Sequence, residues 1–412
     1  MKIIRVYIPM ILLVLTIILS KESIAQNGDI PANVSFELGN GLQISSQNGN
    51  YVFGLGGMIQ PTIGFEQIED NDADYFLNSR RSYFNIQGKA VQEKVSFLIQ
   101  TDFSLTQPLL DAWLSYQVHS STAITVGQKQ TIGNNREMMI MEDQLQFVDR
   151  SLLSSQFSAS GREFGLYIDS KIQLGEIILK PSIAVTSGDG RNSFGSDSRD
   201  VDLGGMKYAA RLDILPLGAF TENNDLCIAD LAHEESPKLV IGAAASYNDG
   251  ASNITGEGHG DFLIYNIEGK QQLPDYRQLY ADILFKFKGI SVLGEYVIAT
   301  ATSLEQTYTD NLGQAPLLPT QISEFLALGS GYNATVGYTL KKGYGLDIRY
   351  SAVQPEFEFN PNSLVGEWTE TSVGFSRYLK GNSLKLHASI SQITNDSDQN
   401  ITRGNLMFQL RF

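Results

Sequence analysis

An aspartate-rich stretch at 70–74, reading Asp-Asn-Asp-Ala-Asp, begins like a calcium-binding loop. Such a loop takes carboxylate oxygens at alternate positions, and it also needs a glycine at its sixth position and a glutamate at its twelfth. Here those positions hold Tyr75 and Arg81. The motif therefore fails and indicates an acidic, solvent-facing tip, as do the aspartates at 197–202. We expect no metal site and no cofactor.

The four histidines, His119, His233, His259 and His387, form no catalytic pattern. None has a zinc spacing such as HExxH, and the chain has no GxSxG nucleophile elbow. Only His387 shares a strand face with a nearby serine, Ser389. A lipid hydrolase would need such a pair on a lipid-facing wall, whereas these two fall on the polar face of their segment. The sequence therefore predicts no catalytic residue, and the chain is not expected to be an enzyme.

Basic side chains recur on the polar faces of short segments, where they can attract anions. A guanidinium fork pairs two oxygens of a phosphate or a carboxylate. The basic residues on these faces are Arg81, Lys89, Lys129, Lys171, Lys207, Arg211, Lys286, Arg349, Lys385 and Arg411. The acidic ones are Asp102, Asp111, Asp169, Asp213, Asp282, Glu295 and Asp347. The faces lean basic, but the alternative stays open that these charges pair across neighbouring strands and only solvate a wall.

The segments that carry these residues alternate between apolar and polar positions. In the last one, 402–412, the apolar Leu406, Phe408, Leu410 and Phe412 share one face, and positions 405, 407, 409 and 411 share the other. A length of about ten residues with one face for lipid and one for water is what a tilted transmembrane β-strand needs. We place such strands at 51–66, 79–89, 93–104, 110–119, 122–129, 163–173, 176–186, 205–214, 238–248, 276–287, 289–299, 327–338, 344–354, 368–378, 381–391 and 402–412. The pattern predicts an all-β fold, a transmembrane antiparallel β-barrel of about 16 strands.

The N-terminus has the pattern of a secretory signal peptide. Lys2 and Arg5 precede an apolar run at 6–19, and small residues lead to a cleavage site after Ala25. Removing residues 1–25 takes away three basic groups and one acidic group, so the formal net charge changes from −15 to −17. That acidity argues against nucleic acid as a partner. The mean hydropathy is −0.11, and no later apolar run approaches the roughly 20 residues of a membrane helix.

The connections between the strands alternate in length. Outer-membrane barrels have short turns on the periplasmic side and longer loops outside. If both termini are periplasmic, the predicted periplasmic turns are short and the outer loops are long, except for the outer loop 105–109, which is short for its class. The connection 215–237 breaks this rule, so it is either an extended turn or a missed hairpin. Residues 26–50 are expected to be a periplasmic lead-in with one short strand at 34–38, and 51–412 to be the barrel. Cys227 is the only cysteine, so barrel closure must replace disulfides as the source of stability.

Several stretches carry a family resemblance. They are SRRSYFNIQG at 79–88, LDAWLSY at 110–116, ITVGQK at 124–129, FVDRS at 147–151 and GREFG at 161–165. In this order they resemble the phosphate-selective porin O and P family of outer-membrane porins, closely over about 51–215 and more loosely towards the C-terminus. The resemblance implies a trimeric, 16-stranded porin whose third outer loop folds into the lumen as a constriction. Counting the connections makes 130–162 that loop.

The resemblance also suggests where a pore would be narrowest. The candidates for lining the pore or its constriction are Arg81, Lys129, Arg136, Arg150, Arg162 and Arg349. Four acidic residues of the loop balance them, namely Glu137, Glu142, Asp143 and Asp149. Phosphate-selective relatives use a lysine cluster there, but 130–162 contains no lysine, which leaves a phosphate preference open. The apolar residues at 138–145 are expected to form a short helix that packs on the barrel wall.

These observations predict a porin in the outer membrane of a Gram-negative-type bacterium. It would pass small hydrophilic solutes and ions by passive diffusion, with an anion or phosphate preference left open. Its expected partners are outer-membrane lipid, the barrel-assembly machinery that reads a last strand ending in Phe412, and two further copies in a homotrimer. The alternatives are a barrel enzyme and a closed scaffold or adhesin. A loop that seals the lumen completely would favour the closed scaffold.

Overall fold

The structure is a computed structural model. It describes residues 32–412 except 70, 189, 192–203, 258–259, 303, 305 and 396–398. The predicted signal peptide, the aspartates at 197–202 and His259 therefore lie outside the described residues. Among the described residues, no helix is long and apolar enough to cross a membrane.

Sixteen strands close into one antiparallel barrel, which confirms the predicted fold. Each strand pairs with the next along the chain, and the last pairs with the first through Leu410 and Ile59. The described strands are β1 (Ala32–Glu37), β2 (Gly41–Ser46), β3 (Val52–Ile68), β4 (Asp74–Ala90), β5 (Val95–Asp102), β6 (Leu109–His119), β7 (Thr122–Gln130), β8 (Arg162–Ser170), β9 (Ile172–Leu174), β10 (Ile177–Thr186), β11 (Lys207–Leu215), β12 (Lys238–Asn248), β13 (Tyr276–Phe287), β14 (Ile290–Ala301), β15 (Thr307–Tyr308), β16 (Pro316–Leu317), β17 (Gly329–Thr339), β18 (Tyr344–Pro355), β19 (Trp368–Lys380), β20 (Leu384–Asn395) and β21 (Asn400–Arg411). The barrel runs from β3 to β21, with β8 and β9 as one interrupted strand and β15–β16 as a separate small hairpin.

The strands present an apolar face outwards and a polar face inwards, as the alternation predicts. Leu114, Ile183, Leu279, Val336 and Ile390 lie on different strands, and each is more than half exposed on the outside. An outward apolar belt on a closed barrel suits lipid, because closure leaves no unpaired strand edge in the hydrocarbon. The fold and its belt place the chain in an outer membrane.

The lead-in forms a hairpin rather than a single strand. β1 pairs with β2, and β2 pairs with the first residues of β3 through Leu42–Leu55 and Ile44–Phe53. β2 therefore continues the line of β21 along β3. The backbone N–H of Gly39, in the β1–β2 turn, donates to the carbonyl oxygen of Arg411 at 3.0 Å. The hairpin thus joins the barrel wall where the chain ends.

Both ends of the barrel chain lie at one rim, which we call the inner rim and expect to face the periplasm. The connections there span 91–94, 120–121, 175–176, 216–237, 288–289, 340–343 and 381–383. All are short except 216–237, which contains no strand and only a 3₁₀ turn at Thr221–Leu226. It is therefore an extended connection and not a missed hairpin. At the outer rim, the first loop is only 69–73, because β3 and β4 are each 17 residues long.

Candidate functional site

Residues 131–161, the third outer loop, fold into the barrel and cross its lumen, as predicted; we call them the septum. They contain α1 (Arg136–Met139), a 3₁₀ turn at Glu142–Gln144 and α2 (Leu152–Phe157). The expected helix over 138–145 is shorter than predicted, but Met138, Ile140 and Leu145 are buried as expected. Because an unpaired buried charge is very costly, each charged group of the septum needs a partner on the wall or within the septum itself.

The start of the septum is held by a quartet of charges. Arg136 donates to Asp282 on β13 at 2.6 Å and to Asp213 on β11 at 2.8 Å. Arg211, also on β11, donates to Asp282 at 2.7 Å and to Asp213 at 3.0 Å. It also donates to the carbonyl oxygen of Asn134 at 3.2 Å. Two arginines and two aspartates therefore neutralise one another between the septum and two wall strands.

A second cluster surrounds Glu137. Its carboxylate accepts from the backbone N–H of Ser151 at 2.8 Å and from the hydroxyl of Ser151 at 2.7 Å. Arg349 on β18 lies 3.6 Å from Glu137 and 2.6 Å from Glu370 on β19. Arg349 also donates to the carbonyl oxygen of Asp149 at 2.9 Å. These contacts fasten α1 to the start of α2 and both to the wall.

A third cluster is centred on Glu142. Arg162, the first residue of β8, donates to Glu142 at 3.0 and 3.2 Å and to Asp111 at 3.2 Å. Arg150 donates to Glu142 at 3.0 Å. Burial alone would raise the pKa of Glu142, but the attraction of Arg162 and then of Arg150 outweighs burial and holds the pKa well below its usual range. Glu142 is therefore a charged group at neutral pH.

The 143–145 stretch is bound by the last two strands. Lys385 on β20 donates to the carbonyl oxygens of Asp143 at 3.0 Å and Leu145 at 2.8 Å. On β21, Gln409 donates to the carbonyl oxygen of Asp143 at 3.0 Å, and Arg411 donates to its carboxylate at 2.6 Å. The septum thus reaches the wall on the far side from β7, where it begins.

The structure brings five of the six predicted pore residues to the septum. Arg136, Arg162 and Arg349 are almost fully buried in the ion pairs above, and Arg150 is largely covered. Arg81 on β4 donates to the side chain of Gln60 at 2.9 Å and to the carbonyl oxygen of Val148 at 3.0 Å. These residues therefore hold the septum in place, and only Arg81 and Arg150 keep a partly exposed face.

The sixth candidate, Lys129, lies apart from this group. It pairs with Asp169 at 3.3 Å and lies over the ring of Tyr167, 4.9 Å from its centre. Lys129 lines a cavity of about 470 Å³ on the inner-rim side of the septum, called the inner cavity here. Its charged lining consists of Lys129, Asp169, Lys171, Lys180, Arg211 and Asp213.

Two smaller cavities lie on the outer side of the septum. One has a volume of about 210 Å³ and is lined in part by Arg150, Arg349, Glu370 and Arg403. The adjoining one is about 220 Å³ and contains Arg80, Glu66 and again Arg403. Asp149 lines both. Ion pairs of 2.5 Å join Arg80 to Asp149 and Arg403 to Glu66.

Sequence alternation missed Arg80 because a β-bulge lies beside it. The pairing of β3 with β4 shifts between Ile59–Ser82 and Pro61–Ser79, so Arg80 and Arg81 are left between two paired positions. A bulge re-aims side chains, and proline, which has no N–H to donate, is tolerated at such a site. Both arginines consequently reach the lumen. The only sequence signal for this was Pro61 itself.

The waist of the barrel is tightly covered. Every one of the sixteen strands contributes at least one inward side chain that is 8% exposed or less, namely Gln60, Tyr83, Asp102, Asp111, Thr125, Glu163, Thr186, Arg211, Ser246, Asp282, Glu295, Asn333, Arg349, Ser372, Lys385 and Gln409. His387 is inward as expected, but it is 2% exposed beneath Phe147 and its ring nitrogen meets Ser376 at 2.8 Å rather than Ser389. Buried inward side chains on all sixteen strands show that the septum and its neighbours fill much of the lumen.

A closed sixteen-stranded barrel with a lipid-facing belt and a third loop across its lumen is a porin-type barrel of the outer membrane. No protein-family model matches the chain, and no curated protein matches it. Similar solved structures include an anion-selective porin from Comamonas acidovorans, with 7% identity, a TM-score of 0.52, and coverage of 88% of this chain and 100% of that one. The outer membrane channel DcaP of Acinetobacter baumannii has 10% identity and a TM-score of 0.51 over 89% and 99% of the two chains. OmpT, an outer membrane protein of Vibrio cholerae in a trimer form, has 11% identity and a TM-score of 0.50 over 88% and 99%.

At such identities the likeness concerns the fold. It agrees with the general part of the sequence resemblance, the porin class, while the O and P family in particular stays a prediction.

Proposed function

We propose that this chain is an outer-membrane porin with a narrow waist, through which ions and small hydrophilic solutes diffuse. The observation that carries the proposal is the charged septum, which has polar cavities on both sides within one closed barrel. A selective pore needs a narrow point lined by groups that replace part of a solute's hydration. Arg81 contacts the septum and Arg150 lies within it, and both keep partly exposed faces. Solved structures with the same fold include an anion-selective porin and an outer membrane channel.

The selectivity we propose is a mild anion preference that arises in the inner cavity. Lys171 in its lining is exposed and has no ion-pair partner among the described residues. The other lining cations, Lys129, Lys180 and Arg211, are each paired with a carboxylate. In the outer cavities every exposed arginine faces a carboxylate, as in the Arg80–Asp149 and Arg403–Glu66 pairs, so those charges largely cancel. Because no lysine lies in 131–161, we propose no phosphate-specific site in the septum.

Planar-bilayer recordings of the purified protein test both statements. We expect discrete channels of low conductance and, in a salt gradient, a reversal potential of the sign for anion preference. Lys171→Met should reduce that potential, whereas Lys341→Met, at an exposed inner-rim turn, should leave it unchanged. A reversal potential of the opposite sign would reject the anion preference, and the absence of channels would reject the porin.

The tightly covered waist favours one competing function, a closed barrel that serves as a scaffold or adhesin through its outer loops. Liposome swelling with small sugars and amino acids separates the two, because a closed barrel admits none of them.

We also propose a homotrimer, after the trimeric form of a structural neighbour, together with a cleaved signal peptide and assembly through the terminal Phe412 strand. Cross-linking and mass measurement of the purified protein in detergent test the trimer.

A further inference from the structure

The long connection at the inner rim, residues 216–237, enters the lumen instead of hanging below it; we call it the wedge. Phe220, Ile228, Asp230 and Glu234 are all less than one-tenth exposed. Loops are normally exposed, because a buried backbone has polar groups that need partners. The backbone polar groups of this buried connection must therefore find partners inside the barrel.

Lys286, on β13, anchors the wedge from the wall. Its ammonium is fully buried and donates to the carbonyl oxygens of Cys227 at 2.9 Å and Ala229 at 2.8 Å, and also to that of Asn224. An ammonium has three donors, and here wedge carbonyls accept all of them. The wedge backbone therefore supplies what water would otherwise supply to this charge.

Asp230 provides the second anchor. It is fully buried and accepts from the backbone N–H of Gly289, in the β13–β14 turn, at 2.7 Å, and from the side chain of Asn224 at 2.8 Å. Glu234 accepts from the backbone N–H of Thr221 at 2.8 Å, which ties the two ends of the wedge together. Charged hydrogen bonds of this kind are among the strong ones in proteins.

The part of the wedge that lies deepest in the lumen packs against the septum. Phe220 and Ile228 of the wedge share an apolar cluster with Ile140 and Leu145 of the septum and with wall residues of β10 to β14. The backbone N–H of Ile228 also points to the carbonyl oxygen of Gln144 at 3.4 Å. The same septum stretch, 140–145, is bound on its other side by Lys385 and Gln409, as described above.

We propose that the wedge is the second wall of the constriction. It supports the 140–145 stretch of the septum from below and fills the lumen beneath it along β11 to β14. Its Asp225 pairs with Lys180 of the inner cavity at 2.7 Å, so the wedge also forms one side of the route by which solutes leave. Lys286 and Asp230 are positioning residues that act through the wedge. This inference rests on the proposed porin function for its effect on permeation, but not for the docked position of the wedge.

Cys227, the only cysteine, lies inside the wedge and reports directly on its position. In the folded full-length protein we expect a thiol reagent to label Cys227 at least about 100-fold more slowly than in the unfolded chain, because labelling requires local opening. Lys286→Met removes the first anchor and leaves three wedge carbonyls without their donor, which should bring labelling close to the unfolded rate. Its matched control is Lys341→Met, the same change at an exposed inner-rim turn, which should keep Cys227 protected.

The same variants in planar bilayers test the role of the wedge in permeation. With the wedge released, we expect the single-channel conductance to rise at least about 1.5-fold, because the narrow section loses one wall. If Lys286→Met does not assemble into a heat-resistant barrel, Ile228→Ala takes its place, because it weakens the contact with the septum and leaves no buried charge unpaired.

Fast labelling of Cys227 in the native protein would overturn the docked wedge. Full labelling of Lys286→Met at unchanged conductance would overturn its role as a wall. Protected Cys227 with no channel in any variant would reject the porin function and leave the docking intact.

Discussion

Asp282 on β13 is the shared acceptor of Arg136 and Arg211, so Asp282→Asn should loosen the septum where it begins. Both arginines are buried, and breaking a buried ion pair typically costs about 3–5 kcal/mol. Asp213 remains as a partner for both, at 2.8 and 2.9 Å, which points to the lower end, about 3 kcal/mol. Since each 1.36 kcal/mol is tenfold in an equilibrium, the fraction of molecules with a released septum should rise about 150-fold.

Limited trypsin digestion measures that fraction, because cleavage after Arg136 or Arg150 requires the septum to leave the lumen. We expect wild-type protein in detergent to resist cleavage there and Asp282→Asn to be cut at both sites, with channel recordings that show more frequent wide openings. Glu268→Gln is the control: its partner Lys270 and the glutamate itself are well exposed, and such a pair contributes at most about 1 kcal/mol. Equal trypsin resistance of Asp282→Asn and wild type would refute the view that the quartet holds the septum.

Three further predictions concern other groups. The pKa of Glu142 in the folded protein lies below the unfolded value of about 4.3, so its ion pairs stabilise the septum fully above pH 4.3 and are lost only as the pH falls through the lower, folded value. Trypsin resistance should therefore be constant from neutral pH to about pH 5 and decline only in stronger acid. A decline at higher pH would contradict this. Phe36→Trp, on the outward face of the lead-in hairpin, should be quenched by brominated lipid, and Ser35→Trp on the other face should not. Lys207→Met leaves Glu163 buried without its 2.7 Å partner and should lower the free energy of unfolding by about 3–5 kcal/mol in urea titrations of the refolded barrel.

The barrel could be predicted from sequence because side-chain alternation is a local signal. Leu406, Phe408 and Leu410 show the lipid face within six residues, and each strand repeats such a pattern independently. Strand ends were less accurate. The strand bounds predicted above place the first outer loop at 67–78, but β3 extends to Ile68 and β4 begins at Asp74, so the loop is only 69–73. Hydrogen bonding beyond the lipid belt has no hydrophobic signature, so only the structure could show it.

The site was harder to predict than the fold. Alternation assigned Asp282 and Arg349 to inward faces, and the resemblance with the loop count placed Arg136 in the third outer loop. Neither could say which charges meet. Arg136 and Asp282 are 146 residues apart, and their contact depends on how a loop lies inside a closed cylinder. The wedge had only an anomalous length as its signal. Sequence patterns fix the direction in which a side chain points, whereas partner choice in a filled lumen is a property of the assembled barrel.

The pairing of these charges divides the basic residues into two groups with different expected effects. Arg136, Arg162 and Arg349 are neutralised in buried ion pairs with carboxylates. Substituting them should therefore alter how often the septum opens and not which ion passes. Lys171 lines the inner cavity, is exposed and has no ion-pair partner among the described residues, so substituting it should alter ion preference at an unchanged septum. Replacing a buried ion pair with apolar side chains is often neutral or stabilising, which means that stability alone does not explain this network. We therefore infer that the pairs specify one position for the septum, and that the selectivity of the proposed pore lies below it, where Lys171 remains exposed in the inner cavity.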